Sequence, residues 1–371
     1  MREIRTGRTG RLVSLDALRG FNMFWIIGAA GIANGLSNLK IPGASLIASQ
    51  LRHAPWNGFR FNDLIYPMFI FVVGISVSLA LGRRREKGEI PRKIVGHIFF
   101  RTALLFGIGL YMSNSGLNWY GWLHNLRWMG VLQRIALCYS CAALMVLYTG
   151  PRRQAGTVAG LLILYWLLLR FVPVPGYGAG IWNPPEANFA NYFDSRFLPG
   201  RLYYHTWDPE GLLSTMPALA TCLLGVLTGH WLRKPDVKPE FKAGALAIAG
   251  MILALLGLLW SLDFPLNKKI WTSSYTLLTA GLSAAGMALF YWLIDIRGFQ
   301  RWAYPFVVIG RNSLFIYVAA DFIPFGAAAR FLLGIGPDLG NSMVLIRSIA
   351  TLGLEWLLLW LMYRFRIFVK L

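Results

Sequence analysis

The sequence predicts an all-α, polytopic integral membrane protein, a single bundle of about ten transmembrane helices. Three observations predict it. Apolar residues make up 56% of the 371 positions and charged residues only 14%, against about 45–50% and about 25% in a typical soluble domain. A soluble chain of this length could bury a large core, but it would lack the charge to cover its surface. The apolar residues also fall in blocks of roughly 18 to 22, long enough to cross about 30 Å of hydrocarbon. Finally, basic residues are concentrated in alternate connecting segments, as orientation determinants are.

Ten blocks read as spans: 17–36, 64–82, 96–112, 128–148, 155–172, 214–232, 243–261, 273–294, 303–320 and 343–363. Arg2, Arg5, Arg8 and Arg11 precede the first, and Arg83, Arg84, Arg85, Lys87, Arg92 and Lys93 separate the second from the third. Arg152 and Arg153 follow the fourth, Arg233, Lys234, Lys238 and Lys242 the sixth, and Arg297 and Arg301 the eighth. Arg364, Arg366 and Lys370 close the chain. With ten spans every cluster falls on one face. The positive-inside rule makes that face cytoplasmic, with both termini, in the cell (inner) membrane. The formal charge of +20 is then loop charge, and no nucleic-acid partner is expected. The segment Met1 to Arg11 is basic and polar, without the apolar core of a cleavable signal.

Three longer segments fall on the opposite face: 37–63, 113–127 and 173–213. The last is rich in Pro, Gly, Asn, Tyr and Trp, and a loop of that length is expected to be functional, folded over the outer mouth of the bundle. The whole chain, 1–371, reads as one domain with no internal repeat, which leans against a secondary transporter. Cys138, Cys141 and Cys222 lie in apolar blocks and read as small core residues; Cys138-x-x-Cys141 has no second Cys/His pair to complete a metal site.

Ionisable groups at the edge of a span are functional candidates. The richest stretch is Leu51-Arg52-His53-Ala54-Pro55-Trp56-Asn57-Gly58-Phe59-Arg60-Phe61-Asn62-Asp63, at the outer entrance of the second span. Histidine exchanges protons near neutral pH, and a neighbouring carboxylate fixes its tautomer. Spacing alone leaves open the alternative that Trp56, His53 and Asp63 are headgroup anchors.

The same stretch resembles the heparan-α-glucosaminide N-acetyltransferase family, whose motif runs His-x-x-Trp-x-Gly, then an Asp, then a Pro-containing apolar helix. Ser14-Leu15-Asp16-Ala17-Leu18-Arg19-Gly20, Gly130-Val131-Leu132-Gln133-Arg134, Pro173-Val174-Pro175-Gly176, Asp208-Pro209-Glu210-Gly211 and Asn312-Ser313 are similar to further family motifs in the same order. The resemblance is to a bacterial-type homologue without the lumenal domain of the eukaryotic enzyme. It implies a transmembrane acyltransferase that moves acetyl from acetyl-CoA to an amino sugar or glycan. It makes His53 the catalytic histidine, as nucleophile or as general base, and Asp63 its orienting partner. Two departures stand out: Ala30 where the family carries a polar residue, with Asn34 one turn on as a substitute, and Asn22 where relatives carry an acid.

The expected site sets Arg19, Gln133, Arg134 and Asn34 towards acetyl-CoA. Trp56, Asn57, His205, Asp208, Glu210 and Asn312 are set towards the acceptor. Arg19 has a second reading, snorkelling to headgroups while paired with Asp16. Arg134 lies too deep to lack a partner and is expected to face the cavity. Arg311 and Glu355, at similar depth on consecutive spans, are expected to pair inside the bundle. For His205, Asp208 and Glu210, loop structuring or glycan hydrogen bonding is favoured over a metal site. Gly176 to Gly180 is no dinucleotide fingerprint. Trp119, Trp122 and Trp182 read as interfacial belt residues. No metal is expected, and lipid and glycan are the expected partners, with a homodimer among the permitted assemblies. The rival readings are a transporter or flippase of a small solute or lipid-linked sugar, and a non-enzymatic membrane subunit.

Overall fold

A computed structural model describes residues 12–39, 41–114, 125–334 and 341–369. The basic residues Arg2, Arg5, Arg8, Arg11 and Lys370, and the tryptophans Trp119 and Trp122, lie outside them. The described residues form helices α1 (Val13–Ser37), α2 (Ala44–Gln50), α3 (Phe61–Glu86), α4 (Pro91–Ser113), α5 (Val131–Tyr148) and α6 (Pro151–Phe171). After a 3-10 turn at Pro185–Ala187 come α7 (Phe189–Phe197), α8 (Thr215–Leu232), α9 (Pro239–Trp260) and α10 (Ser273–Phe290), which continues as a wider π turn over Tyr291–Ile296. The last four are α11 (Tyr304–Arg311), α12 (Ser313–Phe322), α13 (Phe325–Leu332) and α14 (Asn341–Arg364).

Among the described residues eight helices are long and apolar enough to cross a membrane, nine if α11 and α12 are one bent span. The helix α1 is not among them, although its 25 residues extend about 37 Å at about 1.5 Å each. Asp16, Arg19, Asn22 and Asn34 dilute its apolar character. The predicted ninth span, 303–320, is corrected: it breaks between α11 and α12 with a 74° bend. The cause is Asn312, whose backbone leaves helical geometry (φ −131°, ψ 34°). Its side chain donates to the Ile367 carbonyl and accepts from the Val369 amide, each at 2.9 Å, so tail contacts replace the helical ladder.

Burial separates an inner set of helices from a lipid-facing set. In α3 72% of the most apolar stretch is buried, but in α14 only 11%. The inner helices approach backbone to backbone where glycines allow it. A Cβ on Gly225 of α8 would stand 2.0 Å from the Phe71 carbonyl oxygen of α3, and one on Gly74 of α3 would stand 1.9 Å from that of Cys222. At its start, α1 is fixed to the end of α10 by Asp295, which accepts the amides of Val13 and Ser14 and the Ser14 hydroxyl. A carboxylate there meets orphan N–H groups of the first turn.

Arg311 and Glu355 do not pair. Arg311 ends α11 with its guanidinium 4.0 Å from Asp16 and 4.3 Å over the Phe368 ring. Glu355 is buried with Oε2 unpartnered among the described residues. Arg311 is turned towards α1 and the C-terminal tail, the side of α11 away from Glu355. Cys138 and Cys222 are buried as expected, but Cys141 is exposed on the outer side of α5.

Candidate active site

The second span begins with a cap that also builds the site. Arg60 is extended (φ −128°, ψ 163°) and Asp63 is the third residue of α3. Its Oδ2 accepts the amides of Arg60 at 3.0 Å and Ala54 at 3.1 Å. Its Oδ1 lies 2.9 Å from His53 Nδ1. The carboxylate is fully buried, whereas the His53 side chain is 49% exposed. With Asp63 accepting only, the network assigns the proton to Nδ1 and the lone pair to Nε2. The carboxylate is thus shut off from solvent, and the ring is not. The loop 51–60 arches over the helix start and leaves one side of the imidazole open.

A third ionisable group joins them from the loop between α9 and α10. Lys268 Nζ stands 3.0 Å from Nδ1 and 3.1 Å from Nε2 of His53, and 3.8 Å from Asp63 Oδ1. Burial pushes the lysine down to about 8, against the opposing pull of Asp63 and Glu210. Asn267 organises the loop: its side-chain oxygen accepts the amides of Lys269 and Ile270. The Asn267 amide nitrogen donates to Asn57 Oδ1 at 3.0 Å, and Gly58 N–H donates to the Leu266 carbonyl at 2.8 Å. Tyr275, fully buried in α10, donates to the Asp63 backbone carbonyl at 2.6 Å. Loop 51–60, the start of α3 and the start of α10 are therefore one hydrogen-bonded unit.

The long loop 173–213 covers the same end of the bundle, as expected. Trp56 donates to the Trp182 carbonyl at 2.8 Å and packs edge-on to Trp207, on which Tyr204 stacks at 4.3 Å. Arg127 holds the loop down, with a two-pronged pair to Asp208 at 2.7 and 2.8 Å and a third bond to Glu210 at 2.6 Å. Burial alone would lower the guanidinium, but the Asp208 hydrogen bond and both carboxylate charges raise it above its ordinary value. Replacing Arg127 with Met leaves Asp208, 1% exposed, as an uncompensated charge. We expect a loss of about 3 kcal/mol, read as a lower melting temperature of the detergent-solubilised protein.

Arg134, fully buried, reaches the same loop through the carbonyls of Pro209 and Gly211 and the Ser214 hydroxyl, with its guanidinium 5.1 Å over Trp271. Its Nε and Nη1 have no hydrogen-bond partner among the described residues, nor does Oε1 of the buried Gln133. Gln133 Nε2 donates to Ser113 at 3.4 Å.

Asp194, buried in α7, accepts the amides of Leu212 and Leu213, and burial pushes its carboxyl up to about 7. A carboxyl raised above its unfolded value binds its proton more tightly when folded. Stability from this group is therefore greatest at low pH and declines as pH rises from about 4 to about 7. Melting temperature should fall over that range in the wild type and fall less in Asp194→Asn.

The remaining expected residues divide. Asn57 and Trp56 belong to the framework of the site. Asn34 accepts from Arg52, the residue before His53, at 3.4 Å, and Arg52 also donates to Ser37 at 2.9 Å. This brings the end of α1 to the rim. Asp208 and Glu210 are engaged by Arg127, and His205 is exposed in a left-handed turn (φ 64°), so the three do not converge. Among the described residues no group of three or more His, Cys, Asp and Glu is arranged to hold a metal ion. Arg19 bonds Ser76 at 2.6 Å and lies 3.6 Å from Asp16, and Asn312 is taken up by the tail; neither joins the His53 cluster. An open cavity of about 520 Å³ lies between α1, α13 and α14, with Arg330, Arg347 and Ser348 on its wall, and none of His53, Asp63 and Lys268 lines it.

Lys268, Asn267 and Arg127 were not anticipated. Two of them carried a signal: Lys268-Lys269 and Arg127 put cations in loops that the charge alternation assigns to the other face. Such a charge asks for a local partner.

Comparison with known proteins identifies a family. The sequence model described as heparan-alpha-glucosaminide N-acetyltransferase, catalytic, matches residues 11–264. The human heparan-alpha-glucosaminide N-acetyltransferase is 28% identical over 376 aligned residues and the mouse protein 26%, each alignment covering 86% of this chain. The chain spans about half the length, 56%, of these relatives. Membrane-crossing helices, a His–Asp pair at the head of α3 and a match over more than half the sequence lead to one conclusion: the chain belongs to the heparan-alpha-glucosaminide N-acetyltransferase catalytic family.

Proposed function

We propose that this protein transfers an acetyl group from cytoplasmic acetyl-CoA to the amine of an extracytoplasmic amino sugar or glycan. The observation that carries the reading is the His53–Asp63 pair: a buried carboxylate holds Nδ1 at 2.9 Å and leaves the Nε2 lone pair for an acyl carbon or an amine proton. His53 acts as nucleophile or as general base. The exposed side of the ring gives an acceptor direct access, and the half-exposed Tyr204 near Trp56 and Trp207 offers aromatic faces for a sugar. Asn34 of α1 meets Arg52, the loop residue before His53, at the rim of the site. The orientation rests on the alternation of basic loops.

The test uses purified protein in liposomes, with labelled acetyl-CoA on one face and a panel of hexosamines on the other. Labelled N-acetylhexosamine on the acceptor side is the expected result. Product formed only when donor and acceptor share a face would remove the vectorial part of the reading.

A transporter or flippase is the second reading, and the 74° break between α11 and α12 favours it, because transporters build sites at discontinuous helices. That reading requires solute movement that survives His53→Ala and consumes no thioester.

A further inference from the structure

Lys268 occupies a position on the imidazole that bears on the chemistry. Its Nζ lies 3.0 and 3.1 Å from the two ring nitrogens of His53. An ammonium on the Nε2 lone-pair axis would stand about 5 Å from Nδ1, because the two nitrogens point apart. One in the ring plane beyond Cε1 would come within about 2 Å of that carbon, far inside van der Waals contact. Near-equal distances therefore place the ammonium over a ring face. The Nε2 lone pair stays open, with a cation beside the path an incoming acyl group takes.

We propose that Lys268 is a further catalytic residue: its ammonium donates a hydrogen bond to the oxyanion that forms on the thioester carbonyl. The assignment rests on the acetyl-transfer reading above. In the step, a nitrogen (His53 Nε2 or the acceptor amine) forms a bond to the carbonyl carbon, and the C=O π pair moves onto oxygen. When that pair returns, the C–S bond breaks and the CoA sulfur leaves with its electrons. The proton released by the acceptor amine passes through His53 Nε2 to the thiolate or to water. An oxyanion built on Nε2, on the lysine's face of the ring, lies about 3.4 Å from Nζ; a small side-chain rotation brings it to the about 2.7–3.1 Å of an effective donor. The charged neighbours suit this role. Asp63 of α3 lies 3.8 Å away and, with Glu210 of the long loop, favours the ammonium, while Lys269 beside it opposes and His53 is its contact.

The experiment measures CoA release by the full chain in nanodiscs, with acetyl-CoA and glucosamine as probes, for wild type, K268M and K268R across pH. A single donor of this kind contributes about 10²-fold or more to kcat. K268M should lose about that factor with KM for acetyl-CoA changed less than about threefold. The active form carries the proton, so the wild-type rate should fall as pH rises through about 8. K268R stays charged and should keep its rate to about pH 10. This arm decides the matter if K268M does not fold. A K268M kcat within about threefold of wild type, a K268R profile that still falls near pH 8, or a lysine-dependent rate that rises there would each overturn the assignment. Wild-type protein that releases no CoA with any hexosamine ends the acetyl-transfer reading and this assignment together. An active wild type with unaffected lysine variants ends this assignment alone.

Discussion

Asp63→Asn is expected to lower kcat for acetyl transfer by about 10³–10⁴-fold while the protein remains folded. Asp63 uses both oxygens as acceptors: one takes the His53 Nδ1 proton, the other the amides of Arg60 and Ala54. An asparagine has one acceptor oxygen and one donor nitrogen. The two backbone amides can only be met by the oxygen, so the NH2 group turns towards His53 and favours the tautomer with its proton on Nε2. The lone pair then faces the wrong way. The α3 cap survives, which separates this variant from Asp63→Ala, where the cap is lost as well. Melting temperature near that of wild type with collapsed CoA release is the expected pair of results. A kcat within about threefold of wild type would show that the carboxylate does not set the imidazole.

Gly225→Val is expected to remove folded protein altogether. The α3–α8 contact brings backbone against backbone, and even the first added carbon would stand 2.0 Å from the Phe71 carbonyl oxygen, well inside contact distance. Relief would require separating two of the most buried helices in the molecule. Overpacking in a core with side chains free to yield costs about 1–3 kcal/mol; here the obstacle is backbone, so the cost is larger. Size-exclusion chromatography in mild detergent reads this directly. A monodisperse peak with wild-type melting would contradict the packing described. Gly244, with open space where its Cβ would point, is the control position for the same substitution.

The helical membrane fold was legible because it rests on quantities a sequence displays: block length, charge scarcity and the alternation of basic segments. The pairing of His53 with Asp63 was legible too, since the ten-residue separation spans one loop and the first turn of a helix. What stayed hidden depended on which connecting segments meet. Lys268 reaches His53 across 215 positions of sequence, through a loop whose shape is set by Asn267 and its bonds to Asn57. Nothing in the local composition of 261–272 announces that meeting, except two lysines where few were expected. The bend at Asn312 was hidden because the residues on both sides have helical, apolar patterns, and the break comes from the C-terminal tail 367–369 claiming the asparagine side chain. The expected Arg311–Glu355 pair failed because equal depth does not fix which face of a helix a residue occupies: Arg311 is turned to Asp16 of α1 and Phe368 of the tail. Asp208 and Glu210 were recognised as a charged cluster, but their partner, Arg127, lies some eighty positions earlier.

The most direct measurement compares CoA release by wild type and His53→Ala, purified in nanodiscs, with saturating acetyl-CoA and the best acceptor among the hexosamines. Loss of the imidazole should reduce the rate by about 10³-fold or more, with acetyl-CoA binding retained and melting temperature unchanged. A His53→Ala protein that turns over at the wild-type rate would show that acetyl transfer, if present, proceeds elsewhere in the bundle.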